Sequence, residues 1–237
     1  SEIASFFKQA LGVMPSAAQI ERLDQTSEGW AAALRLMTLA LYDTRQNVDD
    51  AAISRLLGRY STAQQYIFDY FADEVFTQQS EATRNFLLDT CVLNQLTPDL
   101  CGTLTGSCDA PLILNRLAQA NLFLIPLSEA QPVYRYHHLV EDFLRHRLQL
   151  ENPARFSELH RAAAGWYELH SDWVEAIQHA LTAVDYTYAA WLIEAHGWEA
   201  LTSRGEIMTI LSWLPHFPDG ILKHYPRLCL YFSRCLY

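Results

Sequence analysis

Lysine is almost missing from this chain. Of 237 residues only Lys8 and Lys223 are lysines, so the remainder of the 17 basic residues are arginines, set against 27 acidic residues and a formal net charge of -10. Such a balance argues against a surface that binds phosphate backbones along its whole length, though one local basic helix stays compatible with it. Long apolar runs are absent too. No stretch of about 18 apolar residues occurs and no basic leader precedes an apolar segment, so no membrane span is expected and a cytoplasmic protein is the default. Cysteine is sparse: Cys91, Cys101, Cys108, Cys229 and Cys235 are widely placed and odd in number, which fits free thiols rather than a disulfide framework.

The signatures of catalysis are lacking as well. There is no G-x-S-x-G, no H-E-x-x-H, no C-x2-C pair, and no glycine-rich loop before either lysine of the kind that cradles phosphates. A complete active site within the chain is therefore not expected. What is present is a globular composition, half hydrophobic and 19% charged, long enough for one or two domains with a real core. The chain opens inside a helical pattern and closes on LCLYFSRCLY, an amphipathic run without a cap, and reads as a piece of something larger.

Along the chain the pattern is mainly helical. Residues 1–12 form a helix that Gly12 can end, and 16–25 another. From Trp30 the run WAAALRLMTLALY is apolar on all sides and predicts a buried helix. Residues 51–60, 61–76 and 79–90 follow as helices. Then the elements shorten. Thr97-Pro98-Asp99 opens a short helix with proline where its missing donor costs nothing, and Asp109 and Pro111 open the next, DAPLILNRLAQAN. LFLIPL and VYRYH read as short strands around the polar turn SEAQP, with a further helix behind, giving a small wing-like unit. Beyond Pro153, helices over 154–170, 172–183 and 185–197 have very short links. Small residues alternate there with bulky ones, as in stacked helical hairpins.

The stretch QPVYRYHHLVEDFLRHRL (131–148) draws the most attention. His138, Asp142 and His146 share a helical face with types that suit zinc, but on a straight helix they span about 12 Å, too far for one ion. Arg145, His146 and Arg147 make a short basic patch, yet Glu141 and Asp142 accompany it. The helix before the hairpin, which would read DNA in a wing unit, carries only Arg116. Strand alternation assigns His137 to one face and His138 to the other, which is equally the pattern of one core histidine and one exposed.

These segments together resemble the MalT-like (LAL) LuxR-type bacterial transcriptional activators, which are signal-transduction ATPases with numerous domains. The resemblance runs through TSEGWAAALRLMTLAL (26–41), YFADEVF (70–76), FLLDTCVLNQLTPDLCGTLTG (86–106), NRLAQANLFLIPL (115–127), YRYHHLVEDFLRHRL (134–148), AAAGWYELHSDWVEAIQHALTAVDYTYAAWLIE (162–194) and GEIMTILSWLPHFP (205–218), in that order. It implies a mainly α fold. Residues 1–60 would be the helical subdomain of a nucleotide-switch module, 61–150 a winged-helix subdomain with a β-hairpin, and 151–237 a helical arm and the start of a TPR-like superhelical sensor.

The resemblance also implies partners and a site. The expected partners are an upstream P-loop domain, a downstream sensor that takes a small-molecule or protein inducer, further copies of the protein on activation, and DNA only through a C-terminal helix-turn-helix not in this chain. The cofactor would be ATP or ADP in the larger protein, held only weakly by this chain alone. In related switch ATPases a histidine at the end of the winged-helix strand contacts the β-phosphate of ADP, and the matching position is His137, with His138 its neighbour. Gly29 and Trp30 match the segment near the adenine, although Gly29-Trp30-Ala31 stands where a glycine-x-proline form is usual, and plain core packing accounts equally for Trp30. The function so implied is coupling of nucleotide state and inducer sensing to oligomerisation. A stand-alone helical interaction or scaffold module is the alternative.

Overall fold

The computed structural model describes residues 2–27, 34, 38, 76–119, 124–128, 130–197 and 207–235. The chain divides into two compact units, residues 1–85 with 136–143, and residues 86–135 with 144–237. The apolar helix expected from Trp30 lies outside the described residues except for Leu34 and Thr38, which are helical and buried. The helices expected at 51–60 and 61–76 lie outside them apart from Phe76.

In the first unit, α1 (Glu2–Leu11) and α2 (Ala17–Ser27) pack on each other, with Phe7 and Leu23 wholly shut from water. Gly12 ends α1 as expected, at φ 71°, a left-handed conformation that costs glycine little. Ser16 and Gln19 open α2 reciprocally: the Ser16 N–H donates to Gln19 Oε1 at 2.7 Å, and the Gln19 N–H donates to Ser16 Oγ at 3.4 Å, a capping box. Farther along the same unit, the rings of Phe76 and Phe143 meet edge to face at 5.7 Å.

The middle of the chain has the helix and hairpin order expected of a winged helix. α3 (Glu81–Thr90) leads to α4 (Pro98–Thr105), α5 (Ala110–Gln119), β1 (Leu124–Pro126), β2 (Tyr134–Tyr136) and α6 (His138–Glu151). Thr97 caps α4 by accepting from the Leu100 N–H at 3.3 Å, with Pro98 in the first turn, and Gly106 closes it at φ 66°. β1 and β2 form a two-stranded sheet whose turn is closed by Leu127 N–H donating to the Val133 carbonyl. Leu96 adds a third rung, exchanging bonds of 2.7 and 3.0 Å with Tyr134. Leu87, Leu93, Leu96, Leu100 and Leu114 are among the buried apolar residues of this region.

Three helices follow: α7 (Pro153–Leu169), α8 (Trp173–Thr182) and α9 (Tyr186–Leu192), the last continued by a wider turn over Ile193–Gly197. Later come α10 (Ile207–Trp213), α11 (Asp219–Leu222) and α12 (Pro226–Cys235). α7 and α8 make the most extensive helix pair described, and the reason is size. Ala163, Ala164, Ala176, Ala180, Ala189 and Ala190 have no exposed surface, so the backbones approach closely while Leu159, Ile177 and Leu192 fill the space between. α7 is also tied back to the winged helix. Arg155 grips Asp89 with both prongs of its guanidinium, at 3.1 and 2.8 Å, and the Trp166 indole N–H donates to Asp99 at 3.0 Å.

The short links have a common device. At the end of α7 the Asp172 N–H bonds the Tyr167 carbonyl and the Ser171 N–H bonds that of Glu168. At the end of α8, Asp185 and Val184 bond Ala180 and Leu181 in the same pattern. Each link then reuses its aspartate as the next N-cap, Asp172 accepting from the Glu175 N–H and Asp185 from the Tyr188 N–H. One helix thus stops and the next starts within three residues. The geometry requires a left-handed residue, and Ser171 (φ 59°) and Val184 (φ 61°) supply it without glycine. Among the described residues no helix is long and apolar enough to cross a membrane.

Two stability predictions follow from this packing. Ala176→Leu, which forces a larger side chain between α7 and α8, lowers unfolding free energy by about 1–3 kcal/mol, whereas Ala162→Leu on the exposed side of α7 changes it by less than about 0.5 kcal/mol. Val184 is branched, left-handed and largely exposed, so Val184→Asn raises stability by roughly 1 kcal/mol. Urea unfolding of the three variants beside the parent chain measures both effects.

Candidate functional site

The strand β2 ends at Tyr136, and the next residue already belongs to the start of a helix. That is why the alternation expected from the sequence does not continue: Tyr136 and His137 are consecutive and both are buried, at 1% and 4% exposure. His138 is half-buried and its ring stacks on that of His137, with centroids 4.8 Å apart.

His137 serves as the cap of α6. Its carbonyl accepts from the N–H groups of Val140 and Glu141, and its Nδ1 accepts from the Leu139 N–H at 3.3 Å. Because Nδ1 accepts, the ring proton of the neutral imidazole sits on Nε2. Nε2 then donates to the Ser27 carbonyl at 2.7 Å, at the last residue of α2. The hydroxyl of Ser27 is buried in turn and has no partner among the described residues. One N–H donor, one carbonyl that holds it and one orphaned hydroxyl thus lie close together here. Gly29 and Trp30, matched to the adenine side, lie outside the described residues.

The basic patch on α6 has a structural use. Arg145 donates from Nε to the Cys91 carbonyl at 2.7 Å and from Nη2 to Asn94 Oδ1 at 3.2 Å, which fastens the loop after α3, and Arg147 pairs with Glu151 at 3.0 Å. Among the described residues no group of three or more His, Cys, Asp and Glu is arranged to hold a metal ion. Cys91 and Cys101 are buried free thiols, and burial pushes the Cys101 thiol up to about 12, so it is inert at neutral pH.

A second polar cluster escaped sequence reasoning. His160 of α7 and His179 of α8 are buried with their Nδ1 atoms 2.9 Å apart, so one donates to the other, and His160 Nε2 has no partner. Phe156 meets the His160 ring edge to face at 4.5 Å, and Tyr167 stacks on the His179 ring at 5.4 Å. The two histidines are 19 residues apart on different helices, a spacing that matches no motif; a histidine on the buried stripe of each helix was the one available signal.

Burial holds both imidazoles below 6.5: His160 to about 3, helped by His179 and Arg145, and His179 to about 4, helped by Arg145. The Glu175 carboxyl opposite is raised, mainly by burial and then by Asp172. The unfolded histidines take up protons first as pH falls, so the stability of the neutral pair is whole above pH 6.5 and is lost as pH drops toward 4. Denaturant unfolding between pH 7 and 4 should show this decline, and His160→Gln should flatten it; an equally steep decline in the variant would mean that other groups cause it.

Against known families, residues 72–156 match the model described as the MalT winged helix domain. That stretch covers α3 to α6, the β-hairpin and the first turn of α7. Residues 72–156 of the chain are therefore a MalT-type winged helix domain.

Proposed function

We propose that this chain is the regulatory core of an ATP-dependent transcription activator and that His137 reads the bound nucleotide. The MalT winged helix domain supports the regulator class. In this reading residues 1–60 are the helical subdomain beside the P-loop domain, and residues 151–237 are the arm and first sensor helices.

The observation that carries the residue assignment is the single Nε2 proton of His137. The backbone of α6 occupies Nδ1, so the ring has one donor, and Ser27 offers a carbonyl to receive it and a partnerless hydroxyl beside that carbonyl. These groups fit a nucleotide phosphate, which would supply anionic oxygens able to take the Nε2 proton and the orphaned Ser27 hydroxyl. Moving one donor between a backbone acceptor and a ligand acceptor gives two states that differ by whether α2 and α6 are tied. Inducer binding in the sensor and self-association are the expected further steps.

Calorimetry of ADP and ATP binding tests this in a protein that joins the chain to its P-loop domain. Ser27→Ala removes only the orphaned hydroxyl and leaves the fold intact, and it is compared with His137→Ala after circular dichroism has verified folding. ADP affinity is expected to fall by about tenfold or more in each, with ATP less affected. Unchanged ADP affinity in both folded variants would leave His137 a cap of α6 and nothing more.

A further inference from the structure

An imidazole turns easily about the bond that joins it to Cβ, because that torsion has a broad and roughly two-fold profile. His137 can act as a directed donor only while its Nε2 is held in one direction. Two bonds fix that direction: the Leu139 N–H to Nδ1 at 3.3 Å, and the Nε2–H to the Ser27 carbonyl at 2.7 Å. The second is the shorter, and it is the one given up when Nε2 turns its proton to a ligand. The first is long for a hydrogen bond and acts at one point of the ring. It resists a half-turn, which would put carbon in the place of Nδ1, yet it leaves the ring free to tilt.

His138 supplies what that bond lacks. Its ring lies on the face of His137, with centroids 4.8 Å apart and planes 26° from parallel. A flat neighbour opposes tilting, since a tilt drives one ring edge into it and pulls the other out of contact. It tolerates the half-turn, which the Nδ1 bond prevents. The two restraints are complementary, and neither involves Ser27. The backbone makes the stack possible. Along a strand successive side chains leave on opposite faces, but β2 ends at Tyr136, His137 caps α6 through its carbonyl, and His138 is the first residue of that helix.

We propose that His138 is a positioning residue for His137, its flat ring holding the Nε2 proton in line for a nucleotide phosphate once the Ser27 carbonyl releases it. The assignment rests on the reading of His137 as the nucleotide contact. It adds that the site uses the planarity of residue 138 rather than its ring nitrogens.

Three substitutions at this half-buried position separate shape from chemistry. His138→Phe keeps a flat ring without nitrogens, His138→Leu keeps bulk without a flat face, and His138→Ala removes both. Imidazole NMR of this chain without nucleotide reads the His137 ring directly, through the exchange of its Nε2 proton with water. His138→Phe is expected to exchange like the parent, and the Leu and Ala variants about three- to tenfold faster, as suits the loss of one ring pair. In the protein joined to its P-loop domain, calorimetry is expected to show ADP affinity kept in His138→Phe and lowered about three- to tenfold in His138→Leu. Parent-like exchange in the folded Leu and Ala variants, with ADP affinity lost in His137→Ala, overturns the positioning role and leaves the nucleotide reading standing. A Phe variant that exchanges as fast as Ala also overturns it, since the nitrogens would then matter. Faster exchange in His138→Leu with ADP affinity unchanged there and in His137→Ala overturns the nucleotide reading itself, and the positioning role with it.

Discussion

A histidine shut away from water has two ring nitrogens and must place both. At residue 137 that requirement governs how the first unit is laid out. The Leu139 N–H claims Nδ1, which puts the proton on Nε2, which must then find an acceptor; the acceptor is the Ser27 carbonyl, 110 residues earlier in the chain. The tautomer is thus chosen by the backbone of α6 and spent on the end of α2. Leaving either nitrogen unpaired would cost about 1–3 kcal/mol, so the two helix ends are held by one neutral ring.

The helices after Pro153 are organised differently. There the constraint is backbone approach. Fully buried alanines on α7, α8 and α9 let the helices come close, and the short links between them make successive helices neighbours. The links themselves depend on left-handed residues that are serine and valine. A strained Val184 persists because the bonds from Asp185 to Ala180 and from Val184 to Leu181 over-determine the turn. The same turn, repeated after α7 and after α8, produces the antiparallel stacking that the alternation of small and bulky residues pointed to.

Much of this was legible because it is local. Thr97 and Pro98, the positive φ at Gly12, the two short strands and the three helices after Pro153 all follow from residue types next to one another. The histidines were harder. Alternation along VYRYHH predicted opposite faces for His137 and His138, but the strand stops at Tyr136, and a period of two has no meaning across a strand-to-helix joint. Arg145 reads in the sequence as one cation of a short basic patch and in the structure clamps a loop carbonyl, because nothing local marks a carbonyl left unpaired at Cys91. The His160–His179 contact joins two helices through a turn, and only the packing of those helices brings the rings together.

Buried polar atoms without partners are a cost that a fold has no need to carry, and native structures keep few of them. Ser27 Oγ and His160 Nε2 are such atoms. An alanine at 27 would keep the carbonyl that holds His137, and a phenylalanine at 160 would fill nearly the same space beside Phe156. The first leaves the helix contacts as they are, while the second would strip the buried Nδ1 of His179 of its partner. The Ser27 hydroxyl is therefore not something that packing asks for. It adjoins a polar group already committed elsewhere, the Nε2 proton of His137. In the proposed reading a bound phosphate would complete its bonding, so part of the binding energy would come from relieving a deficit that the fold already bears.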